Sequence, residues 1–121
     1  MFDKNLLFSD AQALTADAYS DLAVKTSKTP ASGVWIEVAV TALASVTELD
    51  VLVLENGADS GWDYASTAQK LAQKKITAAG RYFLHVQSKQ PYLKLYYDGT
   101  GFGTATVTAG IVSGPQRDAT A

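Results

Sequence analysis

The single histidine, His85, is the first residue to consider for catalysis. A serine hydrolase needs a histidine that a carboxylate orients and that lies next to a nucleophile. His85 lies between Leu84 and Val86 in an alternating segment, on the side away from the apolar residues. No serine lies in a nucleophile-elbow motif. We therefore expect His85 to be a surface or interface residue, and we expect the chain to have no catalytic residues.

Paired carboxylates are a second possible source of chemistry, because a glycosidase uses two of them as acid and base. The candidates are Glu37, Glu48, Asp50 and Glu55. Their spacing does not require such a pair, and nothing in the sequence indicates a sugar cleft beside them. We expect them to occupy solvated strand positions.

The sequence gives little support for a metal site or a phosphate site. The chain has no cysteine, which excludes disulfides, thiolate ligands and a cysteine nucleophile. The loop from residue 55 to 63 contains four possible oxygen ligands for calcium, but its spacing is not that of an EF-hand. The glycine-rich segment 99–103 lacks the lysine and the helix that a phosphate loop requires. We therefore expect no metal and no cofactor.

Aromatic residues offer a better indication of binding. Trp62, Tyr64, Tyr92 and Tyr96 fall in loops or on the strand side opposite the apolar residues. Aromatic rings are frequent anchors of protein interfaces and of carbohydrate sites. Two interpretations stay open at this point: these rings form a recognition surface, or other parts of the fold cover them.

The elements that carry these residues are strands, because apolar and polar residues alternate with a period of two. The alternating segments are residues 34–41, 49–55, 81–87, 92–98 and 104–112. Towards the N-terminus, two short strands (11–14 and 18–22) are favoured over a helix. Residues 66–75 form either a helical turn, or a strand followed by a loop that runs into Ile76. The four residues Ser88 to Pro91 predict a tight hairpin, and residues 98–101 predict a turn that ends a strand.

Composition and charge bound the class of protein. A chain of 121 residues with 47% hydrophobic residues suits one packed domain. The net charge of −2 gives no general attraction to nucleic acid or to an anionic membrane. Residues 1–60 carry three basic and nine acidic side chains, a net −6, whereas residues 61–121 carry seven and three, a net +4. This asymmetry fits a mixed solvated surface or charge complementarity between copies.

The apolar run Leu6-Leu7-Phe8 is too short for a secretory signal, and no segment reaches membrane-spanning length. We therefore expect the protein to be made and kept in a cytosol-like compartment, or in an assembly built there. We expect residues 1–10 to form an N-terminal arm, residues 11–113 a β-sandwich domain and residues 114–121 a flexible tail.

The run from Leu6 to Thr15, LLFSDAQALT, resembles the opening of the small capsid cement, or decoration, proteins of tailed bacteriophages, of the Bordetella-phage type. The later layout is similar along nearly the whole chain, in segments 34–40, 49–54, 80–82, 92–97 and 106–112. The resemblance implies an all-β fold: a jelly-roll-like antiparallel β-sandwich of about eight strands. It also implies a non-catalytic protein of the virion, made in the bacterial host cytoplasm, that binds the major capsid protein on the outer surface of the head.

Such a protein bridges capsid subunits as a homo-oligomer, and the sequence leaves dimer and trimer open. We expect its oligomer or capsid contacts to include the apolar residues of the arm and the aromatic residues, namely Phe2, Leu6, Leu7, Phe8, Trp62, Tyr64, Tyr92 and Tyr96. The alternative is a carbohydrate-binding β-sandwich module of a phage fibre or baseplate, with Trp62, Tyr64 and Tyr96 as stacking platforms. A small β-barrel ligand carrier or hydrolase is a third, weaker hypothesis.

Overall fold

A computed structural model describes residues 6–26, 33–101 and 103–112, and these residues form nine β-strands. The strands are β1 (Leu7–Leu14), β2 (Ala18–Tyr19), β3 (Val24–Lys25), β4 (Val34–Ala44), β5 (Glu48–Asn56), β6 (Lys70–Ile76), β7 (Gly80–Val86), β8 (Tyr92–Thr100) and β9 (Thr104–Val112). Within these described ranges, no helix is long and apolar enough to cross a membrane.

The strands form two antiparallel sheets. The first sheet has the order β1-β9-β4-β7, and the second has the order β2-β8-β5-β6, with β3 also paired to β8. The pairs are nested: β5 with β6, β4 with β7, β2 and β3 with β8, and β1 with β9. A chain whose strands pair in this nested order and fold into two packed sheets forms a jelly roll. The predicted sandwich is confirmed, and β2 and β3 share one of its eight strand positions.

The core lies between the sheets and follows the predicted alternation. Each strand turns every second residue inward, because successive side chains point to opposite faces. Residues buried in this way include Ile36, Val38, Val40, Leu49, Val51, Val53, Leu84, Val86, Leu93, Leu95, Tyr97, Ala105, Val107 and Ala109. Burying one such valine, leucine or isoleucine contributes about 1.5–3 kcal/mol, so these strands are the main source of stability.

The N-terminal segment differs from the expected arm. Strand β1 begins at Leu7 and pairs with β9, so the sandwich begins there and not at residue 11. Phe8 is fully buried in the core, and Leu7 is also buried, while Leu6 is half-buried against the core. Leu7 and Phe8 are therefore not exposed residues of an arm. Phe2 and the expected tail lie outside the described residues.

Polar contacts fix β1 to the second sheet. Ser9 Oγ lies 2.7 Å from the hydroxyl of the buried Tyr97 and donates to Gln12 Oε1 at 2.6 Å. Gln12 Nε2 in turn donates to the Tyr19 carbonyl at 3.0 Å. A buried hydroxyl needs such partners, because an unpaired one costs about 1–3 kcal/mol. The segment 10–22 is extended as predicted, and its second strand is shorter than predicted, since β2 ends at Tyr19.

The predicted hairpin at Ser88–Pro91 is wrong, because β7 belongs to the first sheet and β8 to the second. The segment crosses between the sheets and is held by Glu55 at the end of β5. Glu55 Oε1 accepts hydrogen bonds from Ser88 Oγ at 2.7 Å and from the Lys89 backbone N–H at 3.0 Å. Glu55 is thus half-buried and structural, where a solvated position was expected.

The strand pairing shows which structure residues 66–75 and 98–101 adopt. Residues 70–76 form the edge strand β6, so residues 66–75 do contain a strand, but it occupies the second half of the segment and a strand, not a loop, reaches Ile76. A single turn precedes it, in which the Gln69 and Lys70 N–H groups donate to the Ser66 carbonyl. The turn predicted at residues 98–101 begins later, because β8 continues to Thr100.

Candidate interaction surfaces

Four aromatic residues meet on the outer face of the second sheet, and we call them the aromatic cluster: Tyr19, Trp62, Tyr64 and Tyr96. Tyr19 lies directly opposite Tyr96 in the pairing of β2 with β8. Their ring centroids are 4.8 Å apart in an edge-on arrangement. Tyr64 stacks on Tyr96 with a centroid distance of 4.1 Å and an interplanar angle of 3°.

The long loop between β5 and β6, residues 57–69, brings Trp62 and Tyr64 to this face. The Tyr19 hydroxyl donates to the Trp62 carbonyl at 3.2 Å and accepts from the Tyr64 N–H at 3.1 Å. Trp62 Nε1 donates to Asp59 Oδ1 at 3.0 Å, which fixes the indole. The apolar residues beneath the loop are Leu52 and Leu54 of β5. The loop therefore builds a second, small core on the outside of the sheet.

The structure thus brings together three of the predicted aromatic residues. Tyr96 is 6% exposed and Trp62 half-buried, so the covered-face interpretation describes these two. Tyr64 is 45% exposed. Tyr92 is four residues from Tyr96 on the same strand, roughly 13 Å away, with Lys25 Nζ 5.9 Å from its ring centroid.

Tyr19 belongs to the cluster and was not predicted. Its only signal in the sequence is an aromatic residue within an alanine-rich segment. Burial raises the pKa of Tyr96 to about 12, and the charge of Asp17 adds to the effect. Tyr96 is therefore a neutral phenol at physiological pH, as a packed ring should be.

Carboxylates gather at the other end of the same face, where Asp50 lies opposite Asp98 in the pairing of β5 with β8. Burial raises the pKa of Asp98, and the charge of Asp17 raises it further. Burial also raises the pKa of Asp50, with a second contribution from Glu48. Glu48 and Asp50 are half-buried, where solvated positions were expected. Among the described residues, no group of three or more histidine or acidic side chains could hold a metal ion.

A different set of residues lies on the outer side of the first sheet. We call it the first outer face, and it consists of Trp35, Glu37, Arg81, Phe83 and His85. Trp35 is opposite His85, and Glu37 is opposite Phe83, in the pairing of β4 with β7. The Trp35 and His85 rings are 4.7 Å apart, and Arg81 Cζ lies 5.8 Å from the Phe83 ring centroid. His85 is exposed, as expected of a surface residue.

Glu37 occupies the middle of this face and is buried, where a solvated position was expected. Its side chain is 3% exposed, and its Oε2 accepts a hydrogen bond from Arg81 Nε at 2.7 Å. A buried carboxylate needs a nearby opposite charge, which Arg81 supplies. Glu37 Oε1 is also buried and has no hydrogen-bond partner. Sequence spacing could not reveal this pair, because Glu37 and Arg81 meet only when β4 and β7 align.

The first outer face combines residue types that protein interfaces favour. Tryptophan, phenylalanine and arginine are enriched in interfaces, and tryptophan and arginine in the residues that dominate binding energy. Here Trp35 and Phe83 are half-buried, and the Arg81 side chain is 43% exposed. The arrangement can therefore bind a protein surface through flat rings around one ion pair. A comparison with models of protein families and with curated protein sequences finds no match.

Proposed function

We propose that this chain is a structural protein that binds the outside of a phage head and bridges major capsid subunits to stabilise the shell. One structural observation supports the proposal: Trp35, Phe83 and Arg81 lie together on the first outer face, on two paired strands. Fold alone does not define function, so the jelly roll is only compatible with this role. The resemblance of residues 6–15 to the opening of phage cement proteins is what points to a capsid partner.

The geometry of the first outer face suits binding to another protein. Trp35 and Phe83 come from two paired strands, so the backbone that carries them is already ordered. Binding through preordered side chains loses less conformational entropy than binding through flexible loops. The Arg81–Glu37 pair adds directional polar groups between the rings. Such a surface favours a partner of fixed shape, as a capsid shell is.

A carbohydrate-binding role receives less support from the aromatic cluster. A sugar-stacking platform needs an open ring face, whereas Tyr96 is buried beneath Tyr64. Trp62 is half-buried, and Asp59 fixes its indole N–H. Much of the surface of the Tyr96 and Trp62 rings is therefore buried in the protein, where a sugar cannot stack on it.

Sedimentation of the purified chain with purified empty heads tests the proposal. We expect saturable pelleting in a fixed ratio to capsid subunits. Trp35→Ala should weaken head binding at least about 30-fold, as expected for a residue that dominates an interface. The matched control is Tyr64→Ala, because Tyr64 is an exposed aromatic that was expected among the capsid contacts but lies on the outer face of the second sheet, on the opposite side of the molecule. This variant should bind heads as the unchanged chain does.

Two outcomes contradict the proposal. One is the absence of saturable pelleting with folded chain. The other is loss of binding in Tyr64→Ala with full binding in Trp35→Ala, accompanied by binding to glycans in a direct glycan assay. The second result would favour the carbohydrate-binding alternative.

A further inference from the structure

Loop 57–69 lies on the outside of the second sheet and is held together by its own hydrogen bonds. Gln69 Oε1 accepts from the Asp63 N–H at 3.0 Å, and Gln69 Nε2 donates to the Gly61 carbonyl at 3.1 Å. At the base of the loop, the Glu55 N–H donates to the Gln69 carbonyl at 2.9 Å. The structure describes every residue of the loop, and none of them is buried or belongs to the main core. The loop is therefore a small folded unit whose movement would leave the main core intact.

The loop covers an apolar surface. Leu52 and Leu54 of β5 and Tyr96 of β8 point to the outer side of the second sheet, yet they are 6%, 0% and 6% exposed. Side chains on the outer side of a sheet are solvated unless another part of the chain covers them. Trp62 packs against these residues, and Tyr64 stacks on the ring of Tyr96. The burial of this surface therefore depends on the position of the loop.

A single hydroxyl group ties the far side of the loop to the sheet. The Tyr19 hydroxyl donates to the Trp62 carbonyl at 3.2 Å and accepts from the Tyr64 N–H at 3.1 Å. Within the described part of the chain, Tyr19 is the one strand residue that hydrogen-bonds to the backbone of residues 61–65. The remaining contacts on this side are between aromatic rings. Loss of the Tyr19 hydroxyl would therefore remove the polar attachment of the loop and leave its internal hydrogen bonds in place.

Tyr19 is itself held by a residue of the first sheet. It belongs to β2, which has two residues and lies at a sheet edge. Gln12 Nε2 of β1 donates to the Tyr19 carbonyl at 3.0 Å, and Gln12 Oε1 accepts from the Asp21 N–H at 3.0 Å. Ser9 Oγ fixes the Gln12 side chain by donating to Oε1 at 2.6 Å. None of these hydrogen bonds involves the loop, so Gln12 can influence the loop only through Tyr19.

We infer that loop 57–69 is a lid that opens from the second sheet as a unit, with Tyr19 as its latch and Gln12 as the residue that positions the latch. Opening exposes the apolar surface beneath the lid while both sheets stay folded. Proteins open locally in cooperative units of this kind. The closed form predominates, because it keeps apolar surface out of water. The lid lies on the side opposite the first outer face, so this inference goes beyond the proposed function and does not depend on it.

Limited proteolysis of the purified chain without heads measures the opening. Chymotrypsin cuts after large aromatic residues, and the bonds after Trp62 and Tyr64, which we call the lid sites, become accessible in the open form. The cutting rate follows the population of the open form when opening and closing are fast. Mass spectrometry identifies each cut. We expect the lid sites to be cut well before a core site such as Tyr97, which is fully buried.

Low concentrations of urea separate local opening from unfolding of the whole chain. The effect of urea grows with the surface that an opening exposes. The lid exposes a small surface, so its sites should be cut only slightly faster in 1 M urea. Cutting at Tyr97 should accelerate far more steeply. This comparison uses the wild-type chain and needs no variant.

Three variants test the latch. Tyr19→Phe keeps the ring and loses two hydrogen bonds, so cutting at the lid sites should rise about 5- to 30-fold. Gln12→Ala should raise it at least about 3-fold, although Gln12 makes no hydrogen bond to the lid. Tyr82→Phe is the matched control. It loses a hydroxyl that donates to the Ala78 carbonyl at 2.6 Å, and it should leave cutting at the lid sites unchanged.

The lid is ruled out if urea accelerates cutting at the lid sites as steeply as at Tyr97, because the loop would then open only when the whole chain unfolds. The latch is ruled out if folded Tyr19→Phe is cut at the wild-type rate, or if Tyr82→Phe is cut as fast as Tyr19→Phe. A wild-type rate in Gln12→Ala would show that Gln12 does not position Tyr19. Circular dichroism shows in each case whether the variant is folded.

Discussion

Asp98 and Asp50 face each other across two central strands, and both have a raised pKa because of burial and neighbouring carboxylates. A carboxyl group whose pKa is higher in the folded state binds a proton more readily when folded. Its stabilising contribution is therefore present at low pH. That contribution is lost as the pH rises above the ordinary value of 3.8 and through the folded value.

Asp98→Asn should therefore make the protein more stable near neutral pH, by up to about 0.5 kcal/mol, the usual range for a surface change. The variant should also lose less stability than the wild type as the pH rises from about 4 to 7. Urea denaturation at several pH values measures both effects. Asp10→Asn, at an exposed position, is the control and should change neither. A lower stability of Asp98→Asn at neutral pH would contradict this account of the acidic group.

Among the strands, β1 contains a β-bulge that the sequence did not predict. Ala11 has a φ of 49°, in the left-handed region, at the register shift between Ser9 and Gln12. Its N–H donates to Thr108 Oγ1 at 2.9 Å, so the bulge keeps β1 attached to β9. A residue with a Cβ atom in this conformation stores about 1–2 kcal/mol of strain. The bulge also interrupts the edge that β1 would otherwise offer to another chain.

Ala11→Gly should relieve that strain and raise the free energy of unfolding by about 0.5 kcal/mol, after allowing for the greater freedom of glycine in the unfolded chain. Ala13→Gly is the matched control in the same strand, because Ala13 is paired with Thr106 and lacks a positive φ. It should destabilise by about 0.5–1 kcal/mol. Thermal and urea denaturation of both variants decide the matter. Equal destabilisation of the two would show that Ala11 is not strained.

A strand could be predicted where its formation depends on the pattern of its own residues. Alternation identified β4, β5, β7, β8 and β9, because a strand half buried in a core needs an apolar residue at every second position. The choice of partner is not local. Turn residues at 88–91 suggested that β7 pairs with the strand after it, whereas β7 pairs with the much earlier β4.

The same distinction applies to the surfaces. Trp62, Tyr64 and Tyr96 could be identified as a group from residue type alone. The stacking of Tyr64 on Tyr96 depends on the path of loop 57–69, which no local pattern specifies. The buried pair of Glu37 and Arg81 could not be found either, since a glutamate on the polar side of an alternating strand normally indicates solvent.

At the scale of the whole molecule, the two outer faces differ. The second sheet is covered on its outside by loop 57–69 and the aromatic cluster, whereas the first sheet presents Trp35 and Phe83. The two outer faces therefore have different roles in this proposal: the loop and the aromatic cluster stabilise the second sheet, and the proposed contact with the head lies on the first outer face.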